Sequence, residues 1–153
     1  MEKHDSRTGQ RGAAAVELAI LLIPLVLLAF GITEYGRAMY QYNALAKGVR
    51  SAVRQLSEYS AGDATQIGIA KCLAVYGNYT CSGAPVAPGL TTAMVSVCDT
   101  TNCAGTHLNQ STGSGVVNLV TVTISDYPFI SLVPSLVPNL TFGDISATMR
   151  QVT

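Results

Sequence analysis

The sequence is poor in the side chains on which most enzymes and nucleic-acid-binding proteins depend. Its 153 residues include no Trp and two His, and 9 Lys+Arg against 9 Asp+Glu leave 12% charged residues and a formal net charge of zero. Without a basic cluster the chain lacks the footprint of a nucleic-acid-binding protein. A general base near neutral pH has only His4 and His107 to draw on, and neither belongs to a recognisable nucleophile arrangement. We therefore expect no enzyme, no catalytic residues, no cofactor, no small-molecule substrate and no nucleic-acid partner.

The apolar residues are concentrated near the start of the chain. From Ala13 to Ile32 there are 20 residues with one charge, Glu17. At about 1.5 Å per helical residue this run matches a hydrocarbon core of about 30 Å, which predicts a membrane-spanning helix. We divide the chain into a leader peptide (1–12), a transmembrane helix (13–33), a helix extension (34–60) and a head (61–153).

Glu17 is unusual in a simple anchor, because an ionisable group at the bilayer centre costs at least about 2.5 kcal/mol. A cut between Gly12 and Ala13 would give Ala13 a free α-amine, which is largely protonated at neutral pH, and would make Glu17 the fifth residue of the mature chain. In a stack of subunits, Glu17 of one chain would neutralise the amine of the next. We predict that Glu17 is an assembly carboxylate.

The residues around this cut have the form of a known signal. Arg11-Gly12, followed by Ala13-Ala14-Ala15-Val16-Glu17-Leu18 and an apolar helix, resembles the class III signal of type IV prepilins. Residues 12–54, with Pro24, Glu34, Tyr35, Gly36, Arg37 and Arg54, more narrowly resemble the TadE-like minor pseudopilins of tight-adherence (Tad) pili. The runs 120–129 and 145–150 fit that family more loosely. Many type IV prepilins have a methylated Phe at the first mature position, where this chain has Ala13.

The resemblance implies a minor pilin-like structural subunit that prepilin peptidase cleaves between Gly12 and Ala13, with roles in pilus assembly and adhesion. Its partners would be the inner membrane, the prepilin peptidase, other pilin or pseudopilin subunits and pilus assembly proteins. It would cross the bacterial inner membrane once, with its C-terminal head in the periplasm, or stand in an extracellular pilus.

Two other readings of the N-terminus remain open. An ordinary secretory signal could be cut after Gly31, where small residues have the required spacing. An uncleaved signal anchor would instead leave a membrane-tethered periplasmic binding module.

The segment after the span has a helical pattern. Apolar positions from Tyr35 to Leu56 recur every three or four residues, which predicts an amphipathic helix to Tyr59 with a small or polar opposite face. Such a face is available to the head or to a neighbouring subunit. Asp63-Ala64-Thr65-Gln66 has the form of a capping box, and it predicts a second helix to about Tyr76 with Gly77 as its stop.

The rest of the chain is rich in Gly, Ser, Thr, Asn and β-branched residues. Strands are predicted at 93–98, 116–125 and 142–152, and in the second one Val120, Val122 and Ile124 alternate with polar residues. The predicted fold class is therefore α+β: a long N-terminal membrane-spanning helix, then a small head with a short helix and about three antiparallel strands.

The segment from Tyr127 to Thr141 combines three prolines with many apolar residues. The prolines exclude a central strand. Either the segment covers the core of the head, which we favour because most apolar loop residues of small domains are packed, or it is an exposed patch for a partner or the membrane surface.

Four cysteines, Cys72, Cys81, Cys98 and Cys103, follow the span and fit two disulfides in an oxidising compartment. Three connectivities are possible; we favour Cys72 with Cys81 and Cys98 with Cys103, because each pair closes a short loop. The alternative is a metal site of Cys98, Cys103 and His107, but that spacing is not a zinc pattern. We therefore expect no metal, and His107 to be an ordinary loop residue.

Overall fold

The computed structural model describes residues 7–152, and the side chains of residues 12–152. Its longest element is helix α1, Arg7–Ser57, which continues without interruption through Pro24. The helix ends two residues before the predicted Tyr59. Residues 1–6 of the predicted leader lie outside the described part of the chain, whereas residues 7–12 form the first turns of α1.

The two halves of α1 differ in what surrounds their side chains. Every large apolar side chain from Val16 to Ile32 is exposed. This part of α1 is long and apolar enough to cross a membrane. From position 45 onward one face is buried at intervals of three or four residues, through Leu45, Val49, Ala52, Val53 and Leu56. Because that is the helical period, the second half of α1 forms one wall of the core of the head.

Helix α2, Ala64–Tyr76, begins and ends where the sequence predicts. The carboxylate of Asp63 accepts hydrogen bonds from the amides of Thr65 and Gln66, at 2.9 and 3.1 Å. Gly77 closes the helix with a left-handed φ of 69°. The predicted capping box is only half formed, because the side chain of Gln66 accepts a hydrogen bond from Gln55 on α1 instead of returning to its own N-cap.

The strands form a small antiparallel sheet around one central strand. A 3₁₀ turn, Thr92–Met94, leads into the first edge strand, and a four-residue helix follows it. The elements of the sheet and this helix are β1 (Val95–Cys98), α3 (Ala104–His107), β2 (Gln110–Ser111), β3 (Val116–Ile124) and β6 (Ile145–Gln151). Strands β1 and β2 pair with successive parts of β3, and β6 pairs with the other edge of β3. The predicted α+β fold class is confirmed.

Strand β3 shows the predicted alternation. Val120, Val122 and Ile124 are buried in the core with α1 and α2, whereas Thr121 and Thr123 lie on the half-buried opposite face. The end of β6 is fixed to the end of α1, because the amide of Val152 donates to the carbonyl of Ser57 at 3.0 Å. The sheet therefore runs alongside the second half of α1.

A separate hairpin carries the proline-rich segment. Its stem is β4, Pro128–Phe129, paired with β5, Leu140–Thr141, and its tip, residues 130–139, is called the apolar loop below. We expected the segment to cover the core, and this is wrong for most of it. Phe129 and Ser131 are buried, but the side chains of Ile130, Leu132 and Leu136 are exposed. The apolar loop contacts α1 at Glu34 and Arg37.

Helices α1 and α2 cross at very short range. Gly48 is buried at the crossing, and a Cβ atom at this position would lie 2.5 Å from the carbonyl oxygen of Ala74. Gly48 belongs to the small and polar face of α1, which therefore partly faces α2 in the same chain. A side chain here would have to displace backbone, since the obstructing atom is not at the end of a flexible side chain.

We predict that Gly48→Ala destabilises the head by about 1–3 kcal/mol, because the gain in helix propensity is smaller than the cost of overpacking. The matched control is Gly68→Ala in the interior of α2, where a Cβ meets no atom within 4 Å. Gly68→Ala should raise stability by up to about 1 kcal/mol. Denaturant unfolding of the full chain in detergent micelles measures both variants. Equal stability of the two would contradict the close crossing.

Candidate functional site: the apolar helix and its junction with the head

The residues of the predicted processing site lie together on α1. Gly12, Ala13 and Glu17 are all exposed, and the bond between Gly12 and Ala13 lies within the helix. Glu17 takes part in none of the ion pairs found among residues 12–152. The structure therefore presents these three residues on an accessible helix surface, and their cleavage and assembly roles remain predictions.

A junction between α1 and the hairpin lies immediately after the apolar run. Glu34 is two residues beyond Ile32, and its Oε1 accepts a hydrogen bond from Arg37 Nη1 at 2.7 Å. The other carboxylate oxygen of Glu34 accepts from the amide of Leu132 at 3.2 Å. Arg37 Nη2 donates to the carbonyl of Ile130 at 3.4 Å. One ion pair on α1 therefore binds the backbone of the apolar loop at two nearby positions, Ile130 and Leu132.

The carboxyl group of Glu34 is 3% exposed and is kept ionised by its neighbours. Burial raises the pKa of Glu34, but hydrogen bonds from Arg37, from the Ser131 hydroxyl and from the Leu132 amide together outweigh it. The net result is a pKa below the ordinary value of 4.5. The ionised form is thus the one that fits the junction.

Aromatic rings fasten the stem of the hairpin to the rest of the head. Phe129 stacks on Phe142 with centroids 6.0 Å apart, and the Arg37 guanidinium lies 5.4 Å from the Phe129 centroid. Phe142 also contacts Tyr127 and Tyr42, the latter on α1. Such contacts add to simple burial, by about 0.5–1.5 kcal/mol for an aromatic pair.

Tyr127 anchors the same region through its hydroxyl. The hydroxyl oxygen lies 2.8 Å from the carbonyl oxygen of Pro88 and 3.1 Å from Oε1 of Gln41, and both are acceptors. Burial raises the pKa of Tyr127, while the nearby charge of Arg37 opposes the increase. The phenol therefore remains a neutral hydrogen-bond donor that ties the hairpin to α1.

The four cysteines form the disulfides Cys72–Cys81 and Cys98–Cys103, which are the two short-loop pairs favoured by the spacing. Sγ of Cys98 and Cys103 and a ring nitrogen of His107 lie within 4.8 Å of one another. This is the trio of the alternative metal site. With the two sulfurs bonded to each other, neither is a thiolate available to a metal.

The expectation that His107 is an ordinary loop residue was wrong. His107 ends α3 and is buried, with its two ring nitrogens 2.8 Å from the hydroxyl oxygens of Thr106 and Thr121. Thr121 is on β3, so His107 fixes the Cys98–Cys103 loop against the half-buried face of the sheet. Its role in this structure is to pack and hydrogen-bond.

Sequence reasoning also missed Asp99, which is buried beside the second disulfide. Its carboxylate accepts from the amides of Gly62 and Thr101, at 2.9 and 2.8 Å, and from the Thr101 hydroxyl. Burial raises the pKa of Asp99, but the hydrogen bonds that its carboxylate accepts lower the pKa by a larger amount. The net result is a pKa below the ordinary value of 3.8. Asp99 thereby joins the α1–α2 connection to the disulfide loop. This contact is between residues that are distant in the sequence, so no local sequence pattern predicts it.

Glu34 and Arg37 are three residues apart on α1, a spacing that allows a weak ion pair on one helix, and the structure shows that pair. The partners on the apolar loop lie more than 90 residues away in the chain. Their convergence becomes visible only in the folded structure.

Comparison with protein families finds a similarity over part of the chain. Residues 12–54 match the family model described as TadE-like protein. No curated protein and no solved structure gives a significant match. The matched segment contains most of α1, including Gly12, Glu17 and the Glu34–Arg37 pair, and it stops before the rest of the head. The resemblance inferred from the sequence is confirmed for this segment.

We predict that the apolar loop loosens as the pH falls below about 4.5. Because the folded state lowers the pKa of Glu34, the stabilisation is complete above the unfolded value and is lost on protonation of the folded carboxylate. Hydrogen exchange of peptides covering residues 130–139, corrected for intrinsic rates, should show lower protection in acid. Glu34→Gln should give the low protection already at neutral pH. The control Glu58→Gln, at an exposed position of the chain, should keep the wild-type profile.

Proposed function

We propose that this chain, TadE-like over residues 12–54, is a minor pilin-like structural subunit, or pseudopilin, of a tight-adherence pilus. One observation carries the proposal: the matched segment coincides with a single continuous helix that is apolar and exposed in its first half and part of the core of the head in its second. A pilin-like subunit needs such an element, since the same helix must lie in lipid before assembly and against neighbouring helices afterwards.

In this proposal the chain crosses the bacterial inner membrane once and holds its head in the periplasm. An apolar helix of this length supports membrane anchoring. The two disulfides support a head outside the cytoplasm, because disulfides persist in oxidising compartments. The basic residues Lys3, Arg7 and Arg11 before the span are consistent with a cytoplasmic N-terminus.

Processing by a prepilin peptidase would remove residues 1–12 and leave Ala13 as the first residue. The supporting features are Gly12 before the bond, Glu17 at the fifth position after it, and the exposure of both on α1. The proposed roles follow from this step: assembly with other pilin or pseudopilin subunits and with pilus assembly proteins, and adhesion through the head. The work of the protein is then structural, and no catalytic residue is proposed.

The alternative function is a membrane-tethered periplasmic binding module with an uncleaved signal anchor. The observation in its favour is the compact head, which has its own core, two disulfides and a firm attachment to α1. The two functions make different demands on the N-terminus, since only the pseudopilin must lose residues 1–12.

We predict that Gly12→Leu prevents removal of residues 1–12, because the larger side chain obstructs the peptidase at the residue before the cut. The wild-type chain, co-expressed with a prepilin peptidase, should yield an N-terminus at Ala13 by sequencing and intact mass. Gly9→Leu is the matched control, with the same substitution outside the proposed recognition site, and it should be processed normally. A wild-type chain that keeps Met1 beside an active peptidase would favour the tethered module.

We predict that Glu17→Gln impairs the assembly of chains that have been processed to Ala13. Leaving one partner of a buried ion pair alone costs about 3–5 kcal/mol, so incorporation into sheared filaments should fall at least about tenfold. The measurement is the amount of subunit in filaments relative to membranes, by immunoblotting. Glu58→Gln, which removes a charge outside the span, should assemble as wild type. Normal incorporation of Glu17→Gln with an N-terminus at Ala13 would contradict the proposed pairing.

A further inference from the structure

The apolar loop is exposed at the level of the chain where the apolar helix ends. Its backbone is held by Glu34 and Arg37, which lie two and five residues beyond Ile32. At about 1.5 Å per residue, these positions are about 3 and 8 Å along the axis from the last apolar residue of the span. The loop is therefore beside the end of the span.

The surface of this loop has the composition of a membrane-contacting segment. The sequence has no Asp, Glu, Lys or Arg from Tyr127 to Gly143. Ile130 and Leu132 are 64% and 69% exposed, and Leu136 is 46% exposed. Water is a poor solvent for three such neighbouring side chains, and exposed apolar patches of this kind mark interaction sites.

Internal hydrogen bonds hold the loop in one shape. The amide of Ser131 donates to Oδ1 of Asn139 at 3.0 Å, which closes the base of the loop. The amides of Leu136 and Val137 donate to the carbonyl of Val133, at 2.9 and 3.0 Å, and form a turn at its tip. With the amides of Leu132 and Val133, which donate to Glu34 and to the Ser131 hydroxyl, five backbone amides of the loop have partners. Each amide that has a partner lowers the cost of bringing this backbone towards lipid.

An aromatic residue on α1 lies at the same level. Tyr35 follows Glu34 directly and is 69% exposed. Tyrosine is enriched where membranes meet water, because its ring is apolar and its hydroxyl remains hydrated. The helix and the loop therefore offer matching side chains to one boundary layer.

We infer that the apolar loop, residues 130–139, is a second membrane contact that inserts Ile130, Leu132 and Leu136 into the interfacial layer of the bilayer around α1. The occupant of the patch is lipid, because the patch is continuous with the end of the span and carries no charge for a polar partner. The Glu34–Arg37 pair sets the height of the loop. The contact holds the head at a fixed orientation on the membrane. The inference rests on the membrane anchoring proposed above.

The chain has no Trp, so a single introduced Trp reports on its own surroundings. The test uses the full chain in vesicles of phosphatidylethanolamine and phosphatidylglycerol, with and without lipids brominated on the acyl chains. One set of vesicles carries bromine near the headgroups and a second set carries it near the chain ends, so that both the interface and the bilayer centre are probed. Three exposed positions are compared: Leu136→Trp in the loop, Leu22→Trp within the span and Val116→Trp at the start of β3. Strand β3 begins beside the far end of α1, about 35 Å along the axis from Glu34, so Val116→Trp is the control for water.

Leu136→Trp should emit at shorter wavelength than Val116→Trp and lose emission in brominated vesicles, whereas Val116→Trp should lose none. Quenching of Leu22→Trp without quenching of Leu136→Trp overturns the loop contact and leaves the anchor standing. Absence of quenching at Leu22→Trp removes the anchor, and the loop contact with it. A blue-shifted but unquenched Leu136→Trp, dependent on the ratio of protein to lipid, would assign the patch to a second copy of the chain and overturn the inference.

Discussion

The head is built on a helix whose first half is apolar and exposed and whose second half is packed into the core. A helix satisfies its backbone hydrogen bonds internally, so the same backbone is stable in lipid and in water, and only the side chains have to change. In α1 they change within a few residues, from the exposed apolar run ending at Ile32 to the covered carboxylate of Glu34. Because α1 does not break, every contact made by its second half has a fixed distance from the first half. The core around Leu45 and Val49 is thereby positioned relative to the apolar run.

The Glu34–Arg37 pair lies where the exposed apolar run of α1 ends, and it fixes how far along the helix the hairpin is attached. A lone charge next to lipid is costly, but a close pair with zero net charge and satisfied hydrogen bonds is less so. Both partners also bind backbone groups of the apolar loop, and Arg37 lies over the ring of Phe129. An apolar loop held by hydrophobic contacts alone could slide along the helix, whereas directional hydrogen bonds prevent this. The position of the Glu34–Arg37 pair on α1 thus determines where the hairpin lies along the helix.

Local patterns were sufficient for the parts of the fold that depend on local physics. The apolar run, the three-to-four spacing after Tyr35, the Asp63 and Gly77 caps and the alternation in β3 predicted the main elements to within a few residues. The two-residue strands were not predictable, because each exists only through its pairing partner. Composition also could not distinguish a loop that covers the core from one that projects, since Phe129 and Leu132 are equally apolar and only their neighbours in space differ.

Two glutamates on α1 differ in whether their own chain supplies partners for the carboxylate. Glu34 is covered and finds Arg37, Ser131 and Leu132 within its own chain. Glu17 lies on the exposed apolar half, and no ion pair among residues 12–152 includes it. In hydrocarbon a carboxylate is stable only when neutralised or paired. If its partner is an amine created by proteolysis on a neighbouring subunit, a single processed chain is less stable in lipid than an assembled one. The membrane itself would then favour assembly, and cleavage would be the step that makes assembly favourable.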